Sequence, residues 1–260
     1  MKFKGSFYEV SRIVNGLAEG DGKGVLSFHA VAPSLIDFGF SSASKPGFQL
    51  EHHAAAYDKL MQELGYYRYV IQAGNVRSLI SRCMVKLFGP SRCLAHHTNT
   101  PLPSQPSQES HPDLYTQIQA TPLTEAEQKG LAHAAVVNKE GAGYYKLQLT
   151  KPTTIGIYYF STPGPDAPSN LYYIFEHSDP PAFNAAAAYV DVLLGISRFS
   201  NDLVLLPKLW NHTLGPIVYE ADYERGGHFA AWEQPGAIVA DLRLMFSASG
   251  IGAEIQRSLQ

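Results

Sequence analysis

Three residues far apart in the chain could share one chemistry: Asn75, Asp202 and His228. Asn75 stands in the turn Ala73-Gly74-Asn75-Val76-Arg77, between a strand-like and a helix-like run. Asp202 follows an apolar run ending near Phe199, and His228 lies in Arg225-Gly226-Gly227-His228-Phe229. In this order the acid can fix the imidazole, and the imidazole can act on whatever the turn residue begins. An imidazole held by a carboxylate can accept or release a proton near neutral pH. The alternatives are plainer. Asn75 could satisfy backbone groups at a turn whose left-handed geometry Asn tolerates, and Asp202 could be a simple loop or helix cap. No G-x-S-x-G occurs, which argues against a serine esterase.

Other chemistry finds less support. His52-His53 and His96-His97 are adjacent pairs without the spacing of a zinc site. Gly20-x-Gly22-x-Gly24 precedes an apolar run instead of following one, so it is no dinucleotide fingerprint. Neither a metal nor a cofactor is expected. Cys83 and Cys93 cannot make a disulfide framework and read as reduced thiols, which suits a cytoplasmic protein.

The elements that must position the three residues alternate. Apolar residues from Phe7 to Leu17 mark one helical face, and Val25 to Pro33 is β-prone. Ala54 to Leu64 is helical, Tyr67 to Gln72 a strand, Val76 to Phe88 helical, and Cys93 to Thr98 a short strand. Strands are expected near 25–33, 67–73, 93–98, 193–199 and 216–220, with a closing helix over 238–246. This alternation predicts an α/β fold with a mainly parallel sheet. Ligands of such sheets sit beyond the carboxyl ends of the strands, where the three residues fall. Prolines 101, 103, 106, 112 and 122 break the pattern, and Thr124-Glu125-Ala126-Glu127 reads as a capping box. The division predicted is a core of residues 1–98 and 191–260 interrupted by a cap over 99–190.

Of the 260 residues, 45% are hydrophobic and 17% charged, a balance that supports a folded core. A net charge of −3 and the lack of a long basic run argue against nucleic acid as a partner. No run of about 18 apolar residues suggests a membrane span, and no apolar run follows the first lysines to suggest a secretory signal. Fifteen tyrosines lean toward a pocket or an interface.

The wording of several segments is more specific. FHAVAPSL (28–35), FGFS (38–41), DKLMQELGYYRYVIQAGN (58–75), HTN (97–99), YYKLQLTKPTTIG (144–156) and GGHFAAWEQP (226–235) resemble fungal soluble epoxide hydrolases of the microsomal type. The resemblance covers most of the chain in the right order. It implies an α/β-hydrolase-like sheet missing its first strands, with a reduced cap. It also implies that Asp202 and His228 are the charge-relay pair. The family has aspartate at the turn, in a Gly-Gly-Asp-Trp-Gly context, and this aspartate attacks the epoxide to form an ester that His-activated water hydrolyses. Here the turn carries Asn75, with Val76 and Arg77 after it. A neutral amide is a far poorer nucleophile than a carboxylate. The family's oxyanion motif, His-Gly-x-Pro before Gly-Ser, falls on Lys2-Phe3-Lys4-Gly5-Ser6. Asp37 replaces a glycine beside Ile36 and either places a carboxylate at the pocket mouth or serves a surface turn. Tyr158, Tyr159, Tyr172 and Tyr173 are the nearby candidates for holding an epoxide oxygen, and they could equally be cap core.

Three functions compete. The first is an enzyme repurposed for cyclisation, isomerisation or rearrangement of an apolar small molecule, placed in fungal secondary metabolism, with His228 and Asp202 moving the proton. The second is a residual epoxide hydrolase in which His228 activates water directly. The third is a non-catalytic binding protein whose exposed sheet edge favours a homodimer. An enclosed cavity reaching His228 would separate the first two from the third.

Overall fold

A computed structural model describes residues 7–20, 26–141, 143, 146 and 167–258. Its centre is a sheet of four strands, β1 (Tyr69–Ala73), β2 (Cys93–Thr98), β3 (Leu193–Asn201) and β4 (Ile217–Gly227). They lie in the order β1-β2-β3-β4, and every pairing is parallel. The helices are α1 (Val14–Ala18), α2 (Leu50–Glu63), α3 (Val76–Phe88), α4 (Pro112–Ala120), α5 (Glu125–Val136), α6 (Ala167–Glu176), α7 (Ala182–Ala187), α8 (Ala230–Glu233), α9 (Pro235–Met245) and α10 (Gly252–Ser258). A 3-10 turn spans Phe7–Val10 and a second 3-10 segment spans Lys208–Thr213.

Parallel strands covered by helices on both faces read as continuous apolar runs. Accordingly every residue of β2 is buried, and so is β3 from Leu194 to Phe199. Two apolar clusters flank the sheet. Tyr69 and Ile71 face one of them, with Leu79, Ile80, Met84 and Val85 of α3 and Leu50 and Ala54 of α2. Val70 turns the opposite way, toward Ile13, Phe199, Ile238, Leu242, Met245 and Phe246. Leu50 to Glu63 begins a turn earlier than its apolar pattern indicates, because His52 Nδ1 accepts the Gln49 N–H at 3.0 Å. The capping box forms as read: Thr124 Oγ1 accepts the Glu127 N–H at 3.2 Å. The closing helix starts at Pro235, a residue suited to a first helical turn.

Two expectations are corrected. The face from Phe7 to Leu17 is no single helix; a turn at Ser11–Ile13 separates the 3-10 turn from α1. Tyr8 can then lean on Trp232 while Ile13 enters the core. The β-prone run 26–33 forms no strand. A strand requires a neighbour to pair with, and this run stands across a cavity of about 810 Å³ from β1. Both lie among its walls. No helix of the described residues is long and apolar enough to cross a membrane.

Candidate active site

The three residues singled out by type lie at the carboxyl edge of the sheet: Asn75 beyond β1, Asp202 beyond β3 and His228 beyond β4. β3 and β4 are registered so that Asn201 pairs with Gly227, which sets the residues that follow side by side. His228 Nδ1 lies 2.7 Å from Asp202 Oδ1. Both side chains are largely withdrawn from solvent, 13% and 6% exposed. The same carboxylate oxygen accepts the Leu203 N–H at 2.6 Å, fixing the acid from its own loop. When Nδ1 donates to the carboxylate, Nε2 is left with its lone pair, so the imidazole is set up to take a proton there.

The histidine loop is braced by a residue that the sequence reading quoted without a role. Glu233 Oε1 accepts the Phe229 N–H at 3.1 Å, closing the first turn after His228. Gly226 holds φ +97°, and an added Cβ there would meet Gln234 Cγ at 2.6 Å and Phe199 Cδ1 at 2.8 Å. Gly226 is thus required by close approach as well as by backbone angle, and Gly227 by close approach, since a Cβ there would meet the Asn201 carbonyl oxygen at 2.7 Å.

At the other end of the edge, Asn75 has φ 56° and ψ −144°, a sparsely populated region for a residue with a side chain. It is the N-cap of α3, and its carbonyl accepts the Ser78 N–H at 2.9 Å. Its own N–H donates to Thr100 Oγ1 at 2.9 Å. Gly74 allows this turn, because a Cβ would strike the Asn99 amide at 2.6 Å. Asn99 is held in turn by Gln72 Nε2 at 3.1 Å. The result is a strained strand–turn–helix elbow that presents Asn75 at the sheet edge. Thr100 and Gln72 were not singled out from sequence, since their roles arise from pairing between β1 and β2. Val76, the first residue of α3, packs on the α2–α3 cluster.

The segment before α1 bridges the two ends. Glu9 pairs with Arg77 of α3 at 2.7 Å. Three residues on, the Arg12 guanidinium lies 4.0 Å over the Trp232 ring of α8 and donates to the Trp232 carbonyl at 3.1 Å. Arg77 therefore anchors this segment to the elbow helix.

The remaining expected positions fall elsewhere. Asp37 is buried with φ 72°, and its carboxylate accepts the Ser44 hydroxyl at 2.6 Å and the Ser44 N–H. Its side chain is buried, while the turn it ties stands at the surface, with Phe40, Ser42 and Ala43 exposed. Tyr172 and Tyr173 are half-buried on α6 and pack on each other and on His177. Tyr158 and Tyr159 lie outside the described residues. His96 and His97 are buried strand residues bonded to Ser81 and Ser197, each at 2.9 Å. Burial drives the His97 pKa down to about 4. Burial likewise pushes the Cys83 thiol up to about 12, so it is held as an inert thiol. The 810 Å³ cavity reaches Ala73 and Arg77, and neither His228 nor Asp202 lines it, so this cavity does not separate the enzyme readings from the binding-protein reading.

A parallel sheet with a strained strand–turn–helix elbow and a His–Asp pair on neighbouring strand ends defines an α/β-hydrolase fold. Comparison with known proteins makes this more specific. No family model matches the chain. A putative epoxide hydrolase of Stigmatella aurantiaca is 29% identical over 263 residues, covering 86% of this chain and 57% of that protein. One from Dothistroma septosporum is 26% identical, covering 84% and 57%. The solved Aspergillus niger epoxide hydrolase is 28% identical with a TM-score of 0.68, covering 92% of this chain and 68% of that one. The juvenile hormone epoxide hydrolase of Bombyx mori, 21% identical with a TM-score of 0.72, shares the fold. In sequence and in fold the chain is epoxide-hydrolase-like, and it spans just under three-fifths of the length of the first two relatives.

Proposed function

We propose that this epoxide-hydrolase-like chain converts an apolar small molecule without hydrolysis, by cyclisation, isomerisation or rearrangement. His228 moves the proton and Asp202 holds its ring. One observation carries the reading: the His228–Asp202 pair is closed at 2.7 Å, while the elbow presents the amide of Asn75. An amide does not form the ester that a carboxylate would form, so a covalent route lacks its first step. Proton transfer at Nε2 needs no such ester and is worth about 10²- to 10⁴-fold in rate. Asn75 then orients a polar atom of the substrate through its amide. The region 99–190 is assigned as the cap that excludes water, with Tyr158, Tyr159, Tyr172 and Tyr173 as candidate substrate contacts.

The test is product mass. Purified protein incubated with apolar epoxides, a styrene-type epoxide among them, should give a product of unchanged mass or none. It should not give the diol, which is heavier by one water. Robust diol formation with Asn75 intact by mass would favour the residual hydrolase. Conversion that survives unchanged in His228→Ala would remove the proton-transfer mechanism.

A further inference from the structure

We propose that Glu127 of α5 is a positioning residue for the His228–Asp202 pair, acting through the loop that carries the acid. That loop, residues 202–207, joins the end of β3 to the 3-10 segment that starts at Lys208. It has no regular secondary structure, so its course is set by what grips it. At its start the Asp202 N–H donates to the Phe199 carbonyl at 3.0 Å. Further on, Arg198 Nη2 donates to the Leu206 carbonyl at 3.0 Å. The third grip comes from α5, 81 positions away in sequence: Glu127 Oε1 accepts the Lys208 N–H at 2.9 Å.

One carboxylate thus serves two helix starts. Glu127 Oε2 accepts the Thr124 N–H and the Thr124 hydroxyl, each at 2.9 Å, and completes the capping box of α5. Lys208 is the first residue of its 3-10 segment, where an N–H finds no partner within the segment, and Oε1 supplies one. Partial burial by itself would raise the Glu127 carboxyl, but the Lys208 and Thr124 bonds and the charge of Arg198 outweigh it and hold the group below its ordinary pKa. The bond to Lys208 is therefore charge-assisted. Three residues on, Gly130 lies against the same loop, and an added Cβ would meet the Leu205 carbonyl oxygen at 2.4 Å. The contacts run antiparallel, 127 on 208 and 130 on 205. Glu127, Gly130, Leu131 and Ala134 are the residues of α5 withdrawn from solvent, at the spacing of one helix face. The acid loop cannot leave this face without breaking both contacts. Since α5 belongs to the region assigned above as the cap, the seating of that region becomes a condition for the closed pair.

Proton NMR of the intact chain tests this through the hydrogen-bonded Nδ1 proton of His228, a downfield signal assigned by its loss in His228→Ala. Glu127→Ala removes the grip on Lys208. Gly130→Ala makes α5 the better helix former but drives its backbone off Leu205. Both should broaden or abolish the signal. Ala132→Gly weakens the same helix from its exposed face and should leave the signal in place. Circular dichroism checks that each variant is folded, and where Glu127→Ala is not, Gly130→Ala decides alone. Retention of the signal in a folded Glu127→Ala or Gly130→Ala, or equal loss in Ala132→Gly, overturns the proposal. So does its absence from the wild type. The signal is read without substrate, so the inference rests on the proposed function only for its effect on turnover. There conversion should fall about tenfold or more in Glu127→Ala, mainly in kcat. Unchanged conversion despite a lost signal would sink the proton-transfer reading and not this one.

Discussion

The carboxyl edge of the sheet ends differently on its two sides. Beyond β3 and β4, the acid and the histidine are mutually bonded, and each loop is tied by a further bond, from Leu203 N–H to the acid and from Phe229 N–H to Glu233. Beyond β1 the elbow is built with equal care, through Gly74, Asn99 and Thr100, yet its turn residue is a neutral amide, and no strand among the described residues pairs with the outer edge of β1. On the proposed function, the closed His228–Asp202 pair moves the proton on one side, and the turn on the other side carries an amide. In a hydrolase that works through an ester, both halves matter to turnover; in a proton-transfer enzyme, only one half carries the chemistry.

The largest effect expected follows directly. His228→Ala should lower product formation by about 10²- to 10⁴-fold. Asn75→Ala should cost about 0.5–1.5 kcal/mol, up to roughly tenfold, and act mainly through KM, since one hydrogen bond to substrate is lost. Steady-state kinetics on both variants compares the two sides. Losses of equal size in kcat would break the asymmetry and return Asn75 to the chemistry.

The asymmetry extends into the buried interior. Under β3 and β4 the Asp241 carboxylate accepts the Ser197 hydroxyl at 2.5 Å, the Tyr219 hydroxyl at 2.6 Å and the Tyr223 hydroxyl. Burial and these bonds hold both tyrosines well above their ordinary pKa. Asp241→Ala leaves the Tyr219 and Tyr223 hydroxyls without this acceptor, at about 1–3 kcal/mol for each that stays buried, while the Ser197 hydroxyl keeps His97 Nε2 as a partner. Denaturant unfolding should show a loss of roughly 2 kcal/mol or more, with Asp241→Asn recovering part of it. A change under 1 kcal/mol would mean that α9 is not held to β3 and β4 by this carboxylate.

The residue order Asn75, Asp202, His228 and the strand–helix alternation were legible because each depends on local sequence. β1, β2, β3 and most of α3 fall where apolar runs and Gly or Pro stops place them. The failures concern partners. Run 26–33 has strand composition, but a strand is a pairing, and the neighbour that would pair with it is not among the described residues. Asp37 sits in a surface turn as read, but the burial of its carboxylate depends on Ser44, seven residues on. Asp241 drew no notice, since its three donors come from two strands distant in sequence. Thr100 and Gln72 were missed for the same reason.

A third effect tests the elbow alone. Asn75→Asp should restore little hydrolysis of a styrene-type epoxide. The new carboxylate would act without the family's oxyanion motif, whose position holds Lys2-Phe3-Lys4-Gly5-Ser6 in place of His-Gly-x-Pro before Gly-Ser. Diol formation at the rate of a working hydrolase would show that the amide was the sole defect on this side.

The smallest effect expected lies behind the elbow, in α2. His53 is fully buried between Phe48 and Tyr57, and neither ring nitrogen has a hydrogen-bond partner among the described residues. Burial, aided by the charge of His52, lowers its pKa from 6.5 to about 4. The unfolded chain thus takes up a proton below about pH 6.5, whereas the folded chain does so only near pH 4. Stability from this residue is complete above 6.5 and is lost as pH falls toward 4. His53→Phe keeps an aromatic ring in the same contacts and removes both unpaired nitrogens. The variant should gain about 1 kcal/mol at pH 7 and more at pH 5, where the wild type alone bears the cost of keeping this imidazole neutral. Thermal unfolding at the two pH values reads the difference directly. An equal gain at both would show that His53 does not titrate with folding, and the acid sensitivity would then fall to His96 and His97 in β2, whose pKa values burial also lowers.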